Sequence, residues 1–308
     1  MTTIRIGTRG SQLALWQANE VSRLLANAGV RSEIVTIRTT GDKRHDVSLA
    51  TIGGKGLFVK ELEEALDQGT IDIAVHSLKD VPSIIPERFS LTAFLERADP
   101  RDAWVQPDRI PIGDLPAGAV IGTSSPRRRA QIVARYPQFS VEDMRGNVDT
   151  RISKLRAGQY AGAILASAGL TRLGRQGEIT SWFPAEELLP AAGQGIVGIE
   201  TLRTNKRAIE VVDRINHAPT ALAARCERGV LQKFDTLLDC YSAAAVHAVS
   251  DGSELFIRAF LAEVAGPRSI RSERRGAMGD PDAIIDAVAS DLTSQGALAL
   301  LQAKEVRP

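Results

Sequence analysis

Gly122-Thr123-Ser124-Ser125-Pro126-Arg127-Arg128-Arg129 sits near the middle of a chain of 308 residues. The apolar run Ala119–Ile121 leads into it as a strand, and the small residues then make a turn. Ser125 suits the N-cap of a following helix and Pro126 its first position. Three arginines then fill the first helical turn, where the helix dipole favours acidic groups. Cations placed there require an anion above them. Backbone N–H groups, hydroxyls and guanidinium forks converge on one spot, which is how proteins hold carboxylates and phosphates. One such run alone would read as a solvated basic helix start.

Two further turns repeat the pattern. Gly7-Thr8-Arg9-Gly10-Ser11 follows the strand-like Ile4-Arg5-Ile6 and opens a helix over Ser11–Ala28. There Leu13, Trp16, Val21, Leu24 and Leu25 fall near helical spacing. Arg145-Gly146-Asn147, followed by Thr150, Arg151 and Lys154, lies between the strand candidate Phe139–Met144 and a helical stretch ending at Gly158. In open α/β sheets the strand-to-helix turns lie at the carboxyl edge, where ligands bind. Three cationic turns of this kind imply a ligand whose negative charges are spread along its length.

Composition narrows the classes. Lys plus Arg number 38 against 37 Asp plus Glu, a net charge of +1, which argues against a bulk nucleic-acid binder. The opening Met1-Thr2-Thr3-Ile4-Arg5-Ile6 enters a strand without a signal-peptide apolar region. No apolar run approaches the ~20 residues that span a bilayer. The expectation is a soluble, cytoplasmic protein with no nucleic-acid or membrane partner. No apolar association surface stands out, so a monomer is expected. Cys226 and Cys240 are too few for a disulfide scaffold. With His217 and His247 they lack the close pairing of zinc motifs, so no metal is expected.

Strand and helix signals alternate over the first third of the chain, reading as a mostly parallel sheet wrapped by helices. They include Glu33–Thr39, a helix over Leu57–Asp67 and a strand over Ile71–Val75. The charged Glu96-Arg97-Ala98-Asp99-Pro100-Arg101-Asp102 and the Gly-rich Ala191-Ala192-Gly193-Gln194-Gly195 read as two crossings between domains. The chain would leave a first lobe, build a second and return. The expected fold is therefore α/β: two periplasmic-binding-protein-like lobes with a hinged cleft, plus a small α+β C-terminal domain. The expected boundaries are 1–97 with 196–215, then 100–192, then 218–308. In the last domain, Asp251-Gly252 reads as a hairpin turn and Asp280-Pro281 as a helix start.

Gly53-Gly54-Lys55-Gly56 is no phosphate loop, because Gly56 follows Lys55 where Ser or Thr is required. The polar 41–56 segment reads instead as a lid. His76-Ser77-Leu78-Lys79-Asp80-Val81-Pro82 follows the Ile71–Val75 strand, and the carboxyl-edge argument places Lys79 and Asp80 at the ligand.

Together these segments resemble the porphobilinogen deaminase family. The likeness is carried along nearly the whole chain by Thr8-Arg9-Gly10-Ser11 with Leu13-Ala14-Leu15-Trp16, by Gly53-Gly54-Lys55-Gly56-Leu57-Phe58 and by His76 to Pro82. It continues through Gly122 to Arg128, Arg145-Gly146-Asn147 and Ala192-Gly193-Gln194-Gly195. The resemblance implies a transferase that joins four porphobilinogen molecules head to tail, releasing ammonia, to give hydroxymethylbilane. Each ring bears an acetate and a propionate, so the growing chain is an extended polyanion.

By motif position, Arg9, Ser11, Lys79, Thr123, Ser124, Ser125, Arg127, Arg128, Arg145, Gly146, Asn147, Arg151, Arg172 and Gln194 would hold carboxylates of cofactor and substrate. Asp80 matches the catalytic carboxylate. Lys55 and Phe58 would belong to the lid, with Phe58 stacking on a ring. Cys240 matches the attachment point of a covalent dipyrromethane cofactor, although Leu238-Asp239-Cys240-Tyr241-Ser242-Ala243 replaces the family's Gly-Gly-Cys-Gln-Val-Pro-like segment. Asp149 also adds a negative charge near the Asn147 turn. A different-class alternative is a non-catalytic two-lobed binder of pyrroles or polycarboxylates with the same fold.

Overall fold

The computed structural model describes residues 3–39, 59–238, 242–263 and 267–302. The fold is α/β, and the chain divides into two compact units: Met1–Ala98 with Gly195–Arg225, and Asp99–Gln194 with Cys226–Pro308.

The first unit is built on a five-stranded sheet ordered β2-β1-β3-β10-β4. Its strands are β1 (Ile4–Arg9), β2 (Ser32–Ile37), β3 (Ile73–Ser77), β4 (Phe89–Phe94) and β10 (Val197–Leu202). β1, β2 and β3 are parallel, and β10 runs antiparallel to both β3 and β4. The mostly parallel expectation therefore holds for the entering strands, while the returning strand closes the sheet in the other sense. Helices α1 (Gln12–Asn27) and α6 (Lys206–Asp213) bury Val21, Leu25 and Val212 against Ile4, Ile6, Ile73, Val75 and Ile199. On the opposite face α2 (Lys60–Asp67) sets Leu62 and Leu66 against Ile71, Ala74 and Phe89. Burial on both faces is why β3 opens on the apolar Ile73-Ala74-Val75.

The inward face of α1 differs from the one read from sequence. Ala14, Gln17, Ala18, Val21 and Leu25 are buried, whereas Trp16 is 38% exposed. Small residues at positions 14 and 18 let the helix approach the sheet closely, and the large Trp16 faces outward.

Gly195 begins the return into this unit, where its carbonyl accepts from the N–H of Ala98 at 3.1 Å. Its φ is +86°, and a Cβ there would lie 2.4 Å from the Ala98 carbonyl oxygen. Only glycine fits both demands.

The second unit carries a sheet ordered β7-β6-β8-β5-β9. Its strands are β5 (Asp102–Val105), β6 (Val120–Gly122), β7 (Ser140–Glu142), β8 (Gly162–Ala166) and β9 (Ser181–Trp182). β6, β7 and β8 are parallel, and β5 is antiparallel to β8. Helices α3 (Pro126–Arg135), α4 (Val148–Arg156) and α5 (Ser167–Arg172) follow β6, β7 and β8. Fully buried Trp104 packs with Ile121, Ile132, Val141, Ile164 and Phe183. A second sheet, β11 (Ala243–Ser250), β12 (Glu254–Ala262) and β13 (Ser269–Ala277), is antiparallel and is backed by α8 (Pro281–Ser294), ahead of α9 (Ala297–Gln302). Asp251 makes the hairpin turn by accepting from the N–H of Glu254 at 3.0 Å, and Asp280 caps α8 through the N–H of Ala283 at 3.1 Å.

The C-terminal region was expected as a separate domain. In the structure it packs with residues 99–194 in one compact unit, and the division between units falls inside α7 (Ala218–Gln232). The physical link is apolar: Ala130 and Leu189 share one cluster with Ala243, Ala245, Phe260 and Ala262. Near the middle of α7, Ala224 packs with Leu78 and Ile196. Among the described residues no helix is long and apolar enough to cross a membrane.

Candidate active site

In the first unit the parallel strands β1 and β3 end side by side, so the turns that follow them share one sheet edge. After β1, Ser11 caps α1, accepting from the N–H of Ala14 at 3.3 Å. After β3, a short 3-10 turn carries Lys79 and Asp80, both exposed. The returning chain reaches the same edge, since Leu78 donates its N–H to the carbonyl of Ile196 at 3.0 Å. A pocket opens here. It is lined by Arg9, Ser11, Leu13, Ala14, Gln17, Val59, Val75, His76, Ser77 and Asp80. Three of the residues expected at the ligand, Arg9, Ser11 and Asp80, are thus brought together within one unit.

A polar cluster lies behind this pocket. Nε2 of buried His76 is 2.9 Å from Oε2 of Glu200, a carboxylate with no exposure, and the second oxygen of Glu200 is buried without a hydrogen bond among the described residues. Glu63 on α2 feels the cluster. Burial, and then the negative charge of Glu200, push its carboxyl up to about 7, while His76 and Arg88 pull the other way. Gln17 donates to the Ser77 hydroxyl at 2.8 Å and fixes the adjoining wall.

In the second unit β6, β7 and β8 also end at one edge, and β5 begins there, because Asp102 lies opposite Ala166 in register. Ser125 caps α3 through the N–H of Arg128 at 3.4 Å, and the Ser124 hydroxyl donates to the Met144 carbonyl at 2.7 Å. Thr123 is buried, and its hydroxyl accepts from the Ser125 N–H at 3.3 Å. Asn147 caps α4, accepting from the N–H of Thr150 at 2.9 Å. Gly146 has φ +111°, and a Cβ there would strike Thr150 at 2.6 Å. Arg151 donates to the Gly146 carbonyl at 2.8 Å and Lys154 to the Arg145 carbonyl at 3.2 Å, so the turn's cations are wound around its own backbone. Arg145, Arg151 and Arg172 are partly exposed.

Arg127, Arg128 and Gln194 share a buried centre. Expected at ligand carboxylates, they are 4%, 5% and 1% exposed and close on Asp102, itself fully buried. Arg127 Nη1 is 2.8 Å from Oδ2, while Arg128 Nη2 at 2.8 Å and Gln194 Nε2 at 2.9 Å meet Oδ1. Backbone carbonyls accept as well: that of Leu189 from Arg127 Nη1 at 2.7 Å, that of Ile164 from Arg128 Nη1 at 3.0 Å, and that of Pro100 from Gln194 Nε2 at 2.7 Å. Asp102 thus sets one anion against this helix start. Burial alone would raise the Asp102 carboxyl, but the two guanidinium charges and their hydrogen bonds hold it well below the usual carboxylate range. Arg129 leans the other way, to the Val141 carbonyl and to Asp143 at 3.2 Å. The charge added by Asp149 is met by Arg175 at 2.7 Å.

Sequence reasoning missed Asp102, Glu200 and Glu227. Glu227 is fully buried and accepts from the N–H groups of Gly193 at 2.6 Å and Ala248 at 2.9 Å, holding one crossing in place. The available signal was a lone acid inside or beside an apolar run, as in Asp102-Ala103-Trp104-Val105 and Val197-Gly198-Ile199-Glu200. A buried acid needs a partner. Cys240, Lys55 and Phe58, with the lid segment, lie outside the described residues.

Residues 4–210 match the family model described as "Porphobilinogen deaminase, dipyromethane cofactor binding domain". A porphobilinogen deaminase of Bordetella parapertussis is 46% identical over 300 residues, covering 97% of this chain and 95% of the relative. One of Geobacter sulfurreducens is 44% identical over 298 residues, covering 96% and 93%. Among solved structures, the methionine-binding protein MetQ is 13% identical and covers 69% of this chain and 88% of its own, with a TM-score of 0.44. With a family model spanning two lobes' worth of sequence and relatives this close along almost its full length, the chain belongs to the porphobilinogen deaminase family.

Proposed function

We propose that the chain is a hydroxymethylbilane synthase: it condenses porphobilinogen head to tail with loss of ammonia, on a dipyrromethane cofactor thioether-linked to Cys240. The observation that carries the reading is the pocket at the ends of β1 and β3, where Arg9, Ser11 and Asp80 converge.

The donors fit the group. Each pyrrole ring offers an acetate and a propionate to cations and hydroxyls, and its ring N–H needs an acceptor. Arg9, Ser11 and Lys79 in the first unit hold carboxylates in this reading. So do Thr123, Ser124, Ser125, Arg145, Gly146, Asn147, Arg151 and Arg172 at the strand ends of the second. Asp80 accepts the ring N–H and stabilises the positive charge that develops on substrate as ammonia departs. When bound, the dipyrromethane supplies the ring from which the product chain grows. Asp102 keeps Arg127, Arg128 and Gln194 as a rigid frame beneath the Thr123–Ser125 turn. Lys55 and Phe58 act as lid groups.

Intact mass with peptide mapping tests this directly. The expected result is an increment of two condensed pyrrole units on Cys240, with ammonia released as porphobilinogen is consumed. An unmodified mass that persists after incubation with porphobilinogen would refute it.

A further inference from the structure

We propose that His76, locked in place by Glu200, is a second catalytic residue of the first unit's pocket: its imidazole shuttles the proton that must travel from the newly bonded ring carbon to the leaving amine. The inference rests on the proposed function.

The geometry is that of a carboxylate–imidazole dyad opening on a substrate pocket. His76 is opposite Gly198 in the β3–β10 register, and Glu200 lies two residues further along β10. The ring sets Nε2 at 2.9 Å from Glu200 Oε2. That is the only hydrogen bond of the imidazole among the described residues, and Nδ1 is not sealed off as a buried orphan. His76 lines the pocket that also holds Asp80. A carboxylate so placed fixes the ring orientation, keeps the neutral ring's proton on Nε2, and stabilises the imidazolium when Nδ1 takes a proton. Around the ring, among the described residues, stand Arg9 from β1, Ser11 at the start of α1 and Gln17 within it, Ser77 on β3, Lys79 and Asp80 from the turn after β3, and Glu63 from α2, itself acted on by Arg88.

The chemistry needs such a group. As the substrate's C–N bond breaks, the electron pair leaves on nitrogen, and the imidazolium gives its Nδ1 proton to that nitrogen, releasing ammonia. When the new carbon–carbon bond has formed, the C–H bond of the accepting ring carbon breaks, its electron pair restores the aromatic ring, and the proton returns to Nδ1. Over the cycle one hydrogen moves from carbon to departing nitrogen and His76 is unchanged. Asp80, assigned to the ring N–H and the developing cation, is left free of the proton transfer.

The test uses the full-length, cofactor-loaded protein, with rates expressed per loaded molecule by mass. His76→Gln is expected to lower kcat by about 10²–10⁴-fold, to change KM for porphobilinogen far less, and to remove one limb of the pH–rate profile. Glu200→Gln keeps the ring and its size, so it serves where His76→Gln fails to fold, and is expected to lower kcat by at least about tenfold. Nitrogen-15 NMR of the four histidines, with His76 identified by its loss in His76→Gln, should find the neutral wild-type ring protonated on Nε2. A wild-type Nδ1–H tautomer, or variants whose rate per loaded molecule and pH profile match wild type, would overturn the inference while leaving the proposed function standing. A wild-type chain that releases no ammonia overturns both.

Discussion

Replacing Asp102 by Asn keeps the shape of the buried Arg127–Arg128–Gln194 cluster and removes the negative charge at its centre. In the folded protein Asp102 accepts from Arg127 Nη1, Arg128 Nη2, Arg128 Nε at 3.1 Å and Gln194 Nε2. With charge centres about 4 Å apart and an effective dielectric near 20, each guanidinium attraction is worth about 4 kcal/mol before desolvation is subtracted. Asn would retain one acceptor oxygen and turn an NH₂ group toward donors that are themselves buried. Breaking a buried ion pair from one side costs about 3–5 kcal/mol. For a unit of this size that is a fall of roughly 6–20 °C in Tm. Scanning calorimetry, with urea titration to check that the m-value is unchanged, measures it. The pH dependence has a definite sign. Arginine attraction outweighs burial and puts the folded carboxyl below its unfolded value, so its stabilisation is complete above the ordinary carboxylate range. That stabilisation is lost only as pH falls through the folded value. The gap between Asp102→Asn and wild type should therefore persist to about pH 4 and close only in stronger acid. Replacing Asp102, Arg127 and Arg128 together by Leu, Met and Met should recover part of the loss, because no charge is then left unpaired. A Tm within about 2 °C of wild type would refute the reasoning.

Three further outcomes follow from the same structure. Asp80→Ala removes an exposed side chain, so the protein should stay folded and keep its cofactor mass while turnover falls by at least about 100-fold; near-normal ammonia release would remove Asp80 from the chemistry. Gly195→Ala forces a Cβ against the Ala98 carbonyl at φ +86° and should cost about 1–3 kcal/mol, read as a lowered urea midpoint; a neutral result would mean the crossing relaxes freely. Glu63→Gln tests the cluster behind the pocket. Its carboxyl is raised from 4.5 to about 7 by burial and then by Glu200, so the stability it contributes is present below the unfolded value and lost as pH rises through about 7. The variant should match wild type near pH 4 and exceed it above pH 7 by about 1 kcal/mol, a figure discounted because Glu63 is only half-buried. Identical melting profiles across that range would show that Glu63 does not feel Glu200.

What the residues revealed on their own was governed by distance along the chain. Ser11, Ser125, Asn147 and Asp280 were legible as helix caps because each bonds an N–H three residues away, and the strand-to-helix turns followed from them. The pocket residues Arg9, Ser11 and Asp80 were legible for the same reason, once both strands were read as ending at one edge. The α1 face was misjudged because side-chain size was taken for burial, whereas close packing on a sheet favours Ala14 and Ala18 and sends Trp16 outward. The partner of Arg127 and Arg128 was out of reach for a different reason. Asp102 precedes them by about 25 residues and arrives only because β5 runs antiparallel to β8, a pairing that no local pattern encodes. The physical premise was sound, since three cations at a helix start do demand an anion. The fold answers that demand for two of them internally, and Arg129 is answered in part by Asp143. The turn that caps α3 is held by bonds of its own, the Ser124 hydroxyl to the Met144 carbonyl and the Ser125 hydroxyl from the N–H of Arg128. Among the arginines proposed to hold ligand carboxylates in the second unit, Arg145, Arg151 and Arg172 are partly exposed, an access that the buried pair lacks.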